Sequence, residues 1–356
     1  METVSVNLGG RSYRILINAN WIDDLGARLC DVISADRLLV ITTPALTRLY
    51  GRIVLDALRA AGYSAELFEI PEGEKRKTVA TVETIWDHLI RNGYTRQSVL
   101  VALGGGVVGD IAGFAAATYM RGVGFVQTPT SLLAMIDSSI GGKTGVNHPQ
   151  AKNVIGAFWQ PKIVFVDTAF LRSLAPSELR TGFAEAVKHG VIRDSAYFQF
   201  LEQNLDAILG LDDAALIHTV RVSCEIKAGV VARDEREAGL RAILNFGHTL
   251  GHAAESLSRY EIPHGQAVSI GMVGEARIAE KMGLVTSDAV ARLSALLERA
   301  GLPTRFPDFP AAAVLERLKS DKKVKDGRVR FVLPTRIGEV VIRDDVPSEL
   351  VASVVS

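Results

Sequence analysis

Cysteine is nearly missing from this 356-residue chain, which has only Cys30 and Cys224. Two thiols cannot build a disulfide framework, and their spacing fits no metal motif, so buried thiols in a reducing compartment are expected. Net charge is missing as well: forty basic residues balance forty acidic ones. Nucleic-acid and membrane-surface partners both call for a basic excess, so neither is expected. No apolar run approaches the roughly 18 residues of a membrane span. The opening Met1-Glu2-Thr3-Val4-Ser5 has neither the basic nor the hydrophobic region of a signal peptide. The expectation is a cytoplasmic protein. Low-complexity tracts and internal repeats are also absent. What remains is ordinary globular composition, 48% hydrophobic and 22% charged, in a length that suffices for two domains.

The first half alternates short β-branched runs with helical patterns. Strands are expected at 37–42, 65–70, 98–103, 124–127 and 162–166, with helices over 46–60, 79–91 and 111–119. Such alternation implies a mostly parallel sheet covered on both faces. After about Leu174 the pattern turns helical, over 177–189, 196–209, 214–233, 248–258, 265–282 and 288–300. Strand signals return only at 328–333 and 338–343. The expected division is an α/β domain over 1–175 and a mainly helical one over 176–356, with the boundary near Ala175-Pro176.

Three stretches stand out chemically. Asn245-Phe246-Gly247-His248-Thr249-Leu250-Gly251-His252, followed by Pro263-His264-Gly265, holds three of the seven histidines within 17 residues. On a helix, His248 and His252 share one face. Neutral imidazoles presented together suit a catalytic Zn²⁺, although hydrogen-bonded structural histidines explain an isolated His-x3-His equally well. Glu185 and Lys188, three apart, read either as a simple ion pair or as an oxygen ligand with a neighbouring cation.

Gly104-Gly105-Gly106-Val107-Val108-Gly109-Asp110 follows a buried strand and opens a helix. It fits G-x-G-x-x-G, whose glycines admit a phosphate to backbone N–H groups. It is a non-standard dinucleotide site, because it lies far from the first strand and lacks the acidic ribose partner about 20 residues on. A tight strand–helix turn explains it equally well. The third stretch, Asp137 to His148, is polar and glycine-rich in an apolar chain and reads as a loop. Lys143 lies within it, Lys152 and Asn153 follow closely, Arg121 precedes it, and Lys188, Lys227 and Arg241 come further on. Taken singly, each cation reads as a surface charge.

In order and spacing these motifs resemble the 3-dehydroquinate synthase family over nearly the whole chain. The resemblance rests on Gly104–Asp110, Tyr119-Met120-Arg121-Gly122, Pro129–Leu133, Ile136–Pro149, Lys152–Phe158, Gly182–Gly190, Glu237–Ala253, Pro263–Val268 and Asp321-Lys322-Lys323. It implies a dehydroquinate synthase-like fold, with a Rossmann-like parallel-sheet domain before a helical one. The implied reaction converts 3-deoxy-D-arabino-heptulosonate 7-phosphate to 3-dehydroquinate and phosphate, with NAD⁺ regenerated each turnover and Zn²⁺ or Co²⁺ bound.

The implied metal ligands are Glu185, His248 and His264, with His252 facing substrate instead. Lys152, Asn153, Lys188, Asn245, His252, Lys322 and Arg121 are implied around the phosphate and reacting ring. Arg121 would come from the partner of a homodimer, and Lys322 is preferred to Lys323. Lys227 and Arg241 are implied on the carboxylate side, with Asp137 and Lys143 nearby. Cofactor contacts carry over to Glu74, Lys77, Gly105, Gly106, Val107, Asp110, Thr130, Ser131, Lys143, Lys152, Phe170, Leu171, Arg172 and Ser173, with Thr42 a weaker candidate. The family's usual Thr-Thr pair stands here as Thr130-Ser131, which keeps the hydroxyl.

The rival readings are a valiolone- or scyllo-inosose-type cyclase, whose substrates lack the carboxylate, and a metal-dependent alcohol dehydrogenase of the glycerol dehydrogenase type. A non-catalytic nucleotide-binding module would have no reason to keep Glu185, the histidines and the lysines together.

Overall fold

The computed structural model describes the whole chain except residues 320–323 and 326–327. It divides into two compact units. One comprises Met1–Leu174 and Leu216–Arg236, the other Ala175–Ala215 and Glu237–Ser356. The second stretch of the first unit, Leu216–Arg236, lies within the span expected to form the helical domain. Most of the helix Asp213–Arg233 packs with the first unit, although its sequence is as helical as its neighbours. Among the described residues, no helix is long and apolar enough to cross a membrane.

The first unit is an α/β layer built on a seven-stranded sheet. Its strands are β1 (Glu2–Val6), β2 (Tyr13–Asn18), β3 (Arg37–Thr42), β4 (Ser64–Glu69), β5 (Val99–Gly104), β6 (Gly124–Pro129) and β9 (Ile163–Asp167). Their order across the sheet is β1-β2-β9-β6-β5-β3-β4. Only the β1–β2 pair is antiparallel; the others run parallel. Every residue of β5 and of β9 is buried, as continuous apolar runs require in a sheet covered on both faces. The first two strands lie ahead of the region where alternation was read, and they extend the sheet past β9.

Asp137 to His148 is not the simple loop expected. Ala134–Ser138 forms one π-helical turn, and β7 (Lys143–His148) pairs antiparallel with β8 (Ala151–Phe158). Glycine hides this hairpin from a propensity reading, because it is a poor strand former. Tertiary packing needs it here. A Cβ on Gly145 would lie 2.4 Å from the Ile155 carbonyl oxygen across the ladder. The helix Gly106–Thr118 lies against β7, and a Cβ on Gly113 would meet Thr144 Cγ2 at 2.3 Å.

The second unit is mainly helical. Its longest elements are the helices Pro176–Arg193 and His264–Lys281, with His248–Leu257 between them in sequence. A hairpin of Phe331–Arg336 and Glu339–Arg343 completes it. Helices His248–Leu257 and His264–Lys281 approach to backbone contact. A Cβ on Gly271 would sit 1.8 Å from the Gly247 oxygen, and one on Gly251 would sit 2.8 Å from the Ala267 oxygen. Small residues at these crossings bring the two histidine-bearing helices together.

Candidate functional site

In the second unit, Glu185, His248 and His264 bring one ligand atom each to within 4.8 Å of one another. Glu185 is fully buried near the middle of helix Pro176–Arg193. His248 and His264 are each the first residue of their helices. His248 Nε2 lies 3.5 Å and His264 Nε2 3.3 Å from Glu185 Oε1, and Lys188 pairs with Glu185 Oε2. Among the described residues neither Glu185 oxygen has a hydrogen-bond partner, although both are buried. A carboxylate in that state suits a cation.

The outer nitrogens of the histidines are engaged behind them. His248 Nδ1 lies 3.1 Å from the Phe246 carbonyl oxygen, and His264 Nδ1 lies 3.5 Å from Glu255 Oε1. Partners of this kind fix ring orientation and leave the inner nitrogen for a metal. A second group, His252 with Glu255 and His264, also has its atoms within 4.8 Å, but it lacks Glu185. His252 stays beside His248, as the spacing suggested, and helix crossing brings His264 to the pair as well. The ring centroids of His248 lie 5.3 Å from those of His252 and 5.4 Å from those of His264.

Electrostatics suit ligation. Burial would raise the Glu185 carboxyl, but Lys188 and the two imidazoles offset it and hold it well below the usual carboxylate range. Burial, with Lys188 adding to it, holds His248 well below the ordinary histidine value and so neutral. Burial also opposes charge on His264, yet Glu185 and Glu255 together push it up to about 9. An ionised carboxylate and imidazole nitrogens form a Zn²⁺-type donor set once His264 gives up its proton.

Arg241 and Asn245 lie on the short 3-10 helix Leu240–Asn245. Arg241 is buried, and Asn245 donates to Glu237 Oε1 at 3.0 Å. Lys322, with the alternative Lys323, lies outside the described residues. Glu237, Glu255 and Glu275 were not singled out from sequence as site residues. Glu255 carried a signal, since it falls seven residues after His248 on one helix face.

In the first unit the glycine-rich turn closes β5. Gly105 precedes the helix that begins at Gly106, five residues earlier than the pattern suggested. A Cβ on Gly105 would meet only Ser131 Oγ, at 3.4 Å, and one on Gly106 would meet Ser138 Oγ at 3.0 Å. Gly105 leaves room over the backbone while the Ser138 side chain closes on Gly106, and the N–H groups of a helix start lie at this turn. Val107 is half-buried beside it. The Thr130 N–H bonds the Gly104 oxygen at 3.0 Å, and Ser131 Oγ accepts from Ala134 N at 3.3 Å.

Glu74, Lys77, Asp110 and Asn153 form one network with Asn147. Lys77 pairs with Asp110 and donates to Asn153 Oδ1 at 2.6 Å. Asn147 donates to Glu74 Oε1 at 2.7 Å and accepts from Asn153 N at 2.9 Å. Burial raises the Asp110 carboxyl, against the pull of Lys77. Lys227 pairs with Asp137 and donates to its backbone oxygen at 2.6 Å. Lys143 begins β7, and Lys152 is the second residue of β8.

Thr42 is fully buried and spends its hydroxyl on the Leu103 oxygen at 2.9 Å. In the turn Thr168–Ser173, Phe170 and Leu171 are buried. Arg172 donates to Asn20 Oδ1 at 2.9 Å, and Ser173 Oγ lies 2.7 Å from Tyr50 Oη. Arg121 is exposed, and it and Met120 both have left-handed backbone, at φ 67° and 48°.

A buried carboxylate–histidine–histidine centre in the helical unit, and in the parallel-sheet unit a glycine turn at a helix start, fit an enzyme that uses a divalent metal and a dinucleotide. Comparison narrows the class. The 3-dehydroquinate synthase N-terminal model matches residues 67–181 and the C-terminal model matches residues 182–324. A curated 3-dehydroquinate synthase from Picosynechococcus sp. is 49% identical, with 99% of this chain and 98% of the relative covered. The chain belongs to the 3-dehydroquinate synthase family.

Solved structures of related cyclases share the fold. The 2-epi-5-epi-valiolone synthase of Streptomyces hygroscopicus subsp. jinggangensis, with NAD⁺ and Zn²⁺ bound, superposes with a TM-score of 0.88. It is 29% identical, covering 96% of this chain and 95% of the other. A 2-deoxy-scyllo-inosose synthase with carbaglucose-6-phosphate, NAD⁺ and Co²⁺ gives a TM-score of 0.90 at 24% identity, covering 99% of both chains.

Proposed function

We propose that this chain converts 3-deoxy-D-arabino-heptulosonate 7-phosphate to 3-dehydroquinate and phosphate, with one NAD⁺ and one divalent metal per site. The observation that carries the reading is the buried, ionised Glu185 facing His248 and His264, in a chain of this family. Bound NAD⁺ would supply reversible hydride transfer, and a divalent metal held by Glu185, His248 and His264 would supply polarisation of the hydroxyl to be oxidised.

The protein's own groups bind and orient. Glu185, His248 and His264 hold the metal. The N–H groups of Gly105, Gly106 and Val107 receive the cofactor's phosphates, and Glu74, Lys77 and Asp110 flank them. Thr130, Ser131, Lys143, Lys152 and the Phe170–Ser173 turn complete the cofactor contacts; Thr42, buried with its hydroxyl on the Leu103 oxygen, is the weaker candidate. Lys152, Asn153, Lys188, Asn245 and His252 are assigned to the substrate's phosphate and ring, as is Lys322, which lies outside the described residues. Arg241 and Lys227 meet its carboxylate, with Asp137 orienting Lys227. The substrate phosphate takes the proton lost as it departs, so no protein base is required for that step. The cations lower the energy of charge that develops on the ring and leaving group.

The reading includes a homodimer in which Arg121 reaches the partner's site. Its support is the left-handed Met120-Arg121 segment, exposed beside a cavity of about 760 Å³ lined by Trp86, Ile90, Tyr94 and Met120. It also includes a cytoplasmic location, supported by the scarcity of cysteine.

The test is phosphate release from the heptulosonate phosphate, with and without a chelator. Release should stop with the chelator, return with Zn²⁺ or Co²⁺, and leave no net NADH. Stoichiometric NADH accumulation would instead mark a dehydrogenase.

A further inference from the structure

We propose that Glu275 is a positioning residue for the metal centre, acting through the first turn of the helix that carries His248. The proposal rests on the reading of His248 as a metal ligand. Glu275 is fully buried on helix His264–Lys281, eleven residues beyond His264. Its Oε2 accepts from the Gly247 N–H at 2.8 Å. Its Oε1 accepts from the N–H groups of Thr249 and Leu250 at 3.0 and 3.2 Å. Those are donors at the helix start that the helix itself cannot satisfy. No side chain of the helix's own entry caps it, because the capping position is Gly247, at φ 80°. A carboxylate also suits the positive end of the helix dipole.

These bonds bracket His248. Gly247 before it and Thr249 and Leu250 after it all hang on one carboxylate, while the ring's Nδ1 is set against the Phe246 oxygen. Backbone and ring are thereby fixed with Nε2 facing Glu185. Glu275 and His264 share a helix, so the same carboxylate ties the entry of one ligand helix to the body of the other. Turning this turn by even a fraction of an ångström would spread the ligand set.

The experiment uses Glu275→Gln, which keeps the shape. Its NH₂ group would face backbone N–H donors, so one side of the bracket is lost. Co²⁺ is the probe, read by its visible absorption and by competition with a chromophoric chelator. The expected result is a shifted Co²⁺ spectrum and a 10- to 100-fold weaker affinity, the usual range for loss of a group behind a ligand. NAD⁺ affinity should stay within about twofold. Thr286→Ala removes an ordinary cap elsewhere in this unit. It should lower stability and leave the spectrum unchanged.

A wild-type Co²⁺ spectrum and affinity in Glu275→Gln, together with a metal-free His248→Ala, would overturn the positioning role alone. Normal Co²⁺ binding by His248→Ala would overturn the ligand reading and the proposal with it. Hydrogen exchange on the wild type needs no variant. Coupling is reciprocal, so Co²⁺ should slow exchange at the amides of Gly247, Thr249 and Leu250. Unchanged exchange there would count against the proposal.

Discussion

Replacing Glu185 by Gln separates two contributions of one carboxylate. In the metal-free protein Glu185 is fully buried and paired with Lys188, which is itself 1% exposed. Removing one partner of a buried pair costs about 3–5 kcal/mol, because the other charge keeps its burial but loses its counter-ion. The metal-free variant should therefore be less stable by about that amount. In the wild type, metal at about 100 times its Kd adds roughly 2.7 kcal/mol, provided the unfolded chain does not bind it. The variant should lose that increment almost entirely, because a neutral amide replaces the ionised ligand. Denaturant melts of both proteins, with a chelator and with Zn²⁺, give all four numbers. A variant that keeps a metal increment within about 0.5 kcal/mol of wild type would refute the placement of Glu185 on the metal. A stability loss without metal under about 1 kcal/mol would refute the ion-pair argument instead.

Arg241 offers a planar fork for a carboxylate from a buried position. Arg241→Ala should lower kcat/KM for the heptulosonate phosphate by at least roughly a hundredfold, with metal and NAD⁺ binding nearly unchanged. A wild-type preference for sedoheptulose 7-phosphate, which has no carboxylate, would favour a valiolone-type reaction if Arg241→Ala left it intact. His189 is fully buried, and both its ring nitrogens lack a hydrogen-bond partner among the described residues. Burial, reinforced by Lys188, pushes it down to about 3. The unfolded chain therefore takes up this proton first, and stability should fall as pH drops from about 6.5 toward 3, by up to about 5 kcal/mol. Urea melts of His189→Leu should show a flatter acid limb; an unchanged limb would refute this.

Local sequence determined much of this protein. The β-branched runs at 37–42, 98–103 and 162–166 became buried parallel strands, because only a sheet covered on both faces accommodates continuous apolar runs. The glycine turn was legible because its chemistry is contiguous. The motifs carried the family because their order and spacing survive along the whole chain.

Other features rested on distant contacts. Periodicity pairs His248 with His252, four residues apart. Folding adds His264 and Glu185 to His248, across a helix crossing that small residues permit. Glu275 could not be read as a cap, since the donors it receives lie on another helix. The hairpin β7–β8 was hidden by its glycines, whose poor strand propensity is overridden by packing on a neighbouring helix. Residues 214–233 read as one more helix after the α/β half, yet most of them pack with the first unit. Periodicity reports which face of an element is apolar; which element covers that face is decided only when the chain closes on itself.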